Sequence, residues 1–276
     1  MSDICIITGG GSGMGLEAAK LVGKSSRIIL VGRTVSKLEN ALTELKSLGI
    51  DAEAFPCDAG DRESVKKLAE YASSIGNIKS VIHAAGVSPH MGDGESIFRI
   101  NAIGTINIDE ELSKVMKEGS CILNVSSMAG HLFPLRPEFI PLYKLAFQST
   151  DALMEGAKNM FVAMPAEQQS GVSYSLSKNF VLWYSRRMAV ELGKNGIRVV
   201  SISPGTFTTP MGEIEGDEAA SFARSGALGR CGDPVEIARM MAFIVSDDAS
   251  YLTGTDVLYD GGVVAATLAR AEDEPQ

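Results

Sequence analysis

The sequence predicts one α/β domain, a doubly wound parallel sheet of about seven strands with helices on both faces. Three observations carry this. Short β-branched apolar runs alternate with amphipathic segments of helical period. A glycine cluster stands where the first run meets the first helix. No composition break divides the 276 residues, a length that buries roughly three quarters of the unfolded surface.

In chain order, the strand candidates are ICII (4–7), RIILV (27–31), EAFPC (53–57), SVIHA (80–84), CILNV (121–125), IRVVSIS (197–203) and DVLY (256–259). Such near-continuous apolar runs suit strands covered on both faces. Between most of them lie helical patterns. In VSKLENALTELKSLG, the residues Val35, Leu38, Leu42, Leu45 and Leu48 form one stripe, and Gly49 stops the helix. The stretch from Met128 to Ser173 breaks the rhythm. It is too long for a structureless loop, and Ser149 or Thr150 suits a helix cap, so one or two helices are expected there. The expected organisation is a single domain over 1–267 with a helical insertion at about 131–172. The tail 268–276, LARAEDEPQ, is expected to be disordered.

Composition narrows the function. A net charge of −9 argues against nucleic acid or an anionic membrane as a partner. The four cysteines and three histidines show no CxxC or HxxxH spacing, so no metal site or disulfide framework is expected. Cys5, Cys57 and Cys121 lie in apolar runs and read as small buried hydrophobes. No secretory signal or membrane-length apolar run is visible, and a cytoplasmic protein is expected.

Two motifs carry chemistry. The first strand runs into TGGGSGMG, Thr8 to Gly15, and then into a helix. Glycines at such a turn let the backbone approach a pyrophosphate, and the helix N-terminus offers free N–H groups, as in Rossmann-like folds. The second motif is YSLSK, in which Tyr174 and Lys178 share one helix face a turn apart. An ammonium beside a phenol favours the phenolate and brings its pKa down from about 10 toward working pH. The second strand ends at VGRT without an acid to meet a free 2′-hydroxyl, while Arg33 stands at the distance of a 2′-phosphate. NADP(H) is therefore expected to be preferred, with NAD(H) as the alternative.

Along almost its whole length the chain resembles the classical short-chain dehydrogenases/reductases. The carrying motifs are TGGGSGMG, CD at Cys57–Asp58, HAAG at 83–86, Asn101 in RINAIGTINI, NVSSMAG, YSLSK, SPGTFTTPM and YLTGTDVLYDGG, in the family's order. His83 and Ala84 stand where the family usually has two asparagines. The resemblance implies a catalytic set of Asn101, Ser127, Tyr174 and Lys178. Ser127 is chosen over Ser126 because Ser127-Met128-Ala129-Gly130 fits S-x-x-G. Cofactor contacts are implied at Gly9, Ser12, Gly13, Met14, Gly15, Arg33, Asp58, Ala84, Ala85, Gly86, Tyr174, Lys178, Pro204, Gly205 and Thr209.

The long serine-to-tyrosine segment resembles the steroid dehydrogenase/carbonyl reductase subset, whereas the stretch from Gly86 to Asn101 is short. The insertion carries Leu132, Phe133, Phe139, Met154 and Phe161 among many apolar residues, and its ends flank the reacting centre. Three destinations are open to it: packing on the chain's own helices, which must take much of it, a subunit interface, and the wall of a pocket for the expected substrate, a bulky hydrophobic, hydroxysteroid-like secondary alcohol or ketone. The alternatives are a small-carbonyl, sugar or acyl ketone reductase, the related epimerase branch, and a non-catalytic dinucleotide sensor. The family's habit implies a homo-oligomer, dimer or tetramer, which the insertion is placed to obstruct.

Overall fold

The computed structural model describes residues 3–133 and 135–273. Its strands are β1 (Asp3–Thr8), β2 (Arg27–Gly32), β3 (Ala52–Pro56), β4 (Asn77–His83), β5 (Cys121–Val125), β6 (Arg198–Pro204) and β7 (Asp256–Tyr259). They form one parallel sheet in the order β3-β2-β1-β4-β5-β6-β7. The order reverses between β1 and β4, and ligands bind beyond the carboxyl ends of the strands at such a reversal.

The helices in the first half are α1 (Gly13–Val22), α2 (Val35–Ser47), α3 (Arg62–Ile75), α4 (Gly94–Phe98), α5 (Gly104–Ser113) and α6 (Met128–Leu132). The second half adds α7 (Phe139–Lys144), α8 (Thr150–Phe161), α9 (Ala166–Gly193), α10 (Pro210–Ser225), α11 (Pro234–Val245) and α12 (Val263–Asp273). Alternation along β1 shows how the two faces are covered. Ile4 and Ile6 join the core under α3, α5 and α9, while Cys5 and Ile7 join the one under α1, α2 and α11. Each such fully buried isoleucine contributes about 1.5–3 kcal/mol relative to exposure. Cys5, Cys57 and Cys121 are buried free thiols. Among the described residues, no helix is long and apolar enough to cross a membrane.

The tail differs from expectation. Residues 268–273 continue α12, because Val263 and Val264 are buried and Arg270 Nη1 donates to the Ser225 carbonyl at 3.0 Å. Residues 274–276 lie outside the described residues.

The insertion forms α7 and α8, with Ser149 capping α8 through the Ala152 N–H. Of the expected destinations, packing on the chain's own helices takes much of it. Phe139, Tyr143, Leu153 and Phe161 are buried in one core with Leu176, Phe180 and Trp183 of α9. Among the described residues, those of the insertion that face the site lie at its two ends, Leu132 and Phe133 and then Ala166, Glu167, Ser170 and Gly171. The reason lies in α9, which begins at Ala166, well ahead of Tyr174. That long helix offers an apolar flank, and α7 and α8 cover it.

Candidate active site

The strand ends collect the residues named from sequence. Gly9, Ser12, Gly13, Met14 and Gly15 follow β1, Arg33 follows β2, Asp58 follows β3, and Ala84, Ala85 and Gly86 follow β4. These residues line one elongated cavity together with Thr209. Its floor requires glycine. Gly9 has φ +68, and a β-carbon there would come within 2.7 Å of the Ala84 carbonyl oxygen. The Ser12 side chain makes no capping bond to α1, so the helix N-terminus stays open toward the cavity. A backbone cradle, an open helix end and an exposed cation at Arg33 fit a phosphorylated dinucleotide.

Asp58 accepts from the Gly60 N–H at 2.9 Å, and its other oxygen lies 3.8 Å from Arg99 Nη1. The loop after β4 is held from below. Thr8 Oγ1 accepts from the Ala85 N–H at 3.1 Å and sits 2.7 Å from Nδ1 of His83. Burial, and then the charge of Lys178, push the His83 pKa down to about 3, so the ring is a neutral hydrogen-bonding partner.

A second cavity, of 790 Å³, adjoins the first and shares Met14, Ala84, Gly86 and Thr209 with it. Ser127, Tyr174, Lys178, Pro204 and Gly205 line this one. Lys178 is buried, its Nζ donates to the Val125 carbonyl at 3.0 Å, and it lies 5.8 Å from the Tyr174 ring centroid. Burial lowers its pKa to about 8. The Tyr174 ring packs on a small cluster of Val87, Ile97 and Ile100.

The adjacent serines divide their work. Ser126 Oγ donates to the Lys178 carbonyl at 2.7 Å, tying β5 to α9. Ser127 caps α6, accepting from the Ala129 N–H at 3.2 Å, which leaves its own hydroxyl hydrogen for the cavity. Gly130 lets α6 approach α9, since a β-carbon there would stand 2.9 Å from the Lys178 backbone.

Asn101 lines neither cavity but lies just beneath them. It sits in a π-turn at Arg99–Ile103, accepts from the Val87 N–H at 2.9 Å and donates to the Val87 carbonyl and to Ser177. A β-carbon on Gly86 would be 3.2 Å from Asn101 Oδ1 and 3.4 Å from Lys178 Nζ, so the two polar groups face one another across that glycine. Among the described residues, no group of three His, Cys, Asp or Glu side chains is placed to hold a metal ion.

Sequence reasoning missed several cavity residues. Lys37 lines the first cavity beside Arg33, and a turn-length spacing from Arg33 was the available signal. His90, Glu167 and Ser170 line the second. Pro165 just ahead of α9 was the signal for the early helix start that brings Glu167 and Ser170 in.

Comparison with known proteins agrees with this architecture. Residues 3–136 match the family model described as short chain dehydrogenase. Residues 158–264 match the one described as enoyl-(acyl carrier protein) reductase. The chain is 29% identical to an uncharacterized oxidoreductase of Bacillus subtilis, with 95% of this chain and 91% of the relative covered. It is 26% identical to a 3-oxoacyl-[acyl-carrier-protein] reductase of Thermotoga maritima, with 95% and 97% covered. A short chain dehydrogenase from Burkholderia cenocepacia solved in complex with NADP superposes with a TM-score of 0.73 at 20% identity, covering 94% of this chain and 96% of the other.

Proposed function

The chain belongs to the short-chain dehydrogenase/reductase family of oxidoreductases, and we propose that it transfers a hydride between NADP(H) and a bulky, largely apolar secondary alcohol or ketone. The observation that carries this reading is a single cavity in which Ser127, Tyr174 and Lys178 meet walls of Leu132, Phe133 and Phe207. Two exposed cations at the far end of the adjoining cavity, Arg33 and Lys37, favour the 2′-phosphorylated dinucleotide.

When bound, the reduced dinucleotide supplies the hydride to the carbonyl carbon, and the oxidised form takes it back from the alcohol. Tyr174 gives its phenolic proton to the carbonyl oxygen as that oxygen gains charge, and in reverse the phenolate removes the alcohol proton. The Lys178 ammonium favours the phenolate that remains. Ser127 donates its free hydroxyl hydrogen to the same oxygen and fixes its position. Asn101 holds the Val87 backbone and thereby the wall against which the tyrosine ring rests.

The test is direct. The purified protein, with NADPH or NADH, is offered a panel of small polar, acyl and bulky alicyclic ketones while cofactor oxidation is followed. Faster turnover of the bulky apolar members with NADPH is expected. Dinucleotide binding without turnover of any carbonyl or alcohol would overturn the reading in favour of a sensor.

A further inference from the structure

We infer that the substrate is elongated and carries a hydrogen-bond donor, an alcohol or an ammonium, at the end away from its reacting carbon, and that Glu167 receives this donor. The inference rests on the carbonyl chemistry proposed above and adds the identity of the distal group.

The geometry comes from one helix. Because α9 starts at Ala166, it presents Glu167, Ser170, Gly171, Tyr174, Ser175 and Lys178 to the same cavity. Their spacings of three and four residues make one stripe along the helix. Seven residues separate Glu167 from Tyr174, and at 1.5 Å rise per residue the two lie about 10 Å apart along the axis. Helical side chains lean toward the N-terminus, and both of these lean alike, so the axial separation stays about 10 Å.

Between them the wall is open. A β-carbon built on Gly171 meets nothing within 4 Å, so an apolar body passes over that position unobstructed. Leu132, Phe133 and Phe222 line the same cavity. The lining is thus mixed, with Ser170, Ser175 and His90 beside the apolar residues, proton chemistry at Tyr174 and the exposed Glu167 carboxylate two turns before it on the helix.

Glu167 makes no ion pair or side-chain hydrogen bond among the described residues. A carboxylate in a first turn also offsets the partial positive charge of the helix N-terminus. That role predicts an effect on stability alone and none on substrate choice, which makes the two separable.

The experiment compares ketones with one rigid apolar skeleton whose far end, about 10 Å from the carbonyl by the helix spacing, is an ammonium, a hydroxyl or a methyl. A short ketone that cannot reach Glu167 is the control. KM for the ammonium and hydroxyl ketones is expected to be lower than for the methyl ketone by up to about fivefold, the range of an exposed charge pair. The ammonium preference should shrink with added salt, and the hydroxyl preference should hold. Glu167→Gln should remove the ammonium preference, while Gly171→Met should raise KM for every long ketone by blocking the passage.

Equal KM for the three long ketones in the wild type would overturn the inference. So would a Glu167→Gln enzyme that keeps the preference, or one that loses thermal stability with no change in the ratio. In each of those cases turnover of the short ketone still supports the proposed function, whereas no turnover of any ketone defeats that function itself.

Discussion

The buried ammonium of Lys178 lies 5.8 Å from the centre of the Tyr174 ring and is anchored by the Val125 carbonyl at 3.0 Å. Burial costs the charged form enough to bring its pKa down to about 8. The lysine is therefore poised near ordinary working pH. Below that value the cation supports a phenolate next to it, and above it the support is gone.

Removing either partner separates their roles. Tyr174→Phe keeps the ring against Val87 and Ile100 and loses only the ionisable oxygen. Turnover should fall by about two orders of magnitude or more, the lower range of general acid–base catalysis, with dinucleotide affinity nearly unchanged. Lys178→Ala should damage both. Steady-state kinetics and a cofactor titration check this, and substantial turnover by Tyr174→Phe would remove the tyrosine from its role.

The same pair fixes a pH profile. Under the proposed mechanism ketone reduction uses a protonated tyrosine and a cationic lysine, so its rate should be full at neutral pH and decline as pH rises through about 8. Measuring kcat for reduction across that range is sufficient. A rate that stays flat well above this value would show that the lysine charge does not support the reaction.

The proposed preference for NADP(H) rests on exposed cations at the β2 end. Arg33→Asp places a repelling carboxylate where a 2′-phosphate would sit and an acceptor where a 2′-hydroxyl would. A charge-assisted hydrogen bond is worth about 1.5–3 kcal/mol, or about tenfold to a hundredfold in affinity. KM for NADPH should rise by that order while KM for NADH falls. A wild-type enzyme that already uses NADH better would refute the assignment of Arg33.

A buried acid makes stability depend on pH. Asp109 on α5 is fully buried, accepts from Asn124 Nδ2 at 2.8 Å, and has its second oxygen without a partner. Burial raises its pKa from 3.8 to about 8, against the opposing effect of Asn124. Between those values the unfolded chain has lost the proton and the folded chain keeps it. Folding stability attributable to this group therefore falls as pH rises, by about 1.4 kcal/mol per unit. Denaturant unfolding at several pH values should show the slope, and Asp109→Asn should flatten it. An unchanged slope in that variant would place the linkage elsewhere.

How much of this was legible in the sequence varied with the kind of signal. The strands and the glycine turn were readable because continuous β-branched runs and a glycine at positive φ each have one dominant physical cause. Asp109 was not, since a carboxylate on a helix reads as solvent-facing until α5 is known to be covered. Nor was the division of the insertion. Phe133, which lines the cavity, and Phe139, buried in the core and stacked on it at 5.3 Å, are alike in sequence, and no local pattern tells them apart. The helical course of residues 268–273 was not legible because the docking residues, Val263 and Val264, lie ahead of that charged stretch.

The insertion gives the last prediction. Tyr143 is fully buried, its hydroxyl donates to Asn179 Oδ1 at 3.0 Å, and its ring meets Phe180 edge-on at 5.3 Å. Asn179 in turn donates to the Gly130 and Phe133 carbonyls at 2.8 and 2.7 Å, so one amide beside Lys178 joins α6, α7 and α9. Tyr143→Phe removes one buried hydrogen bond and should cost about 1 kcal/mol. Tyr143→Ala also leaves a cavity and should cost about 3–5 kcal/mol. Replacing residues 133–164 with a short Gly-Ser linker uncovers the flank of α9 and should give an unstable, association-prone protein. Unfolding curves for the two point variants, with the linker variant followed by size-exclusion chromatography, decide the matter. A linker variant as stable as the wild type, deficient only toward bulky ketones, would mean that the segment serves the substrate and not the helix beneath it.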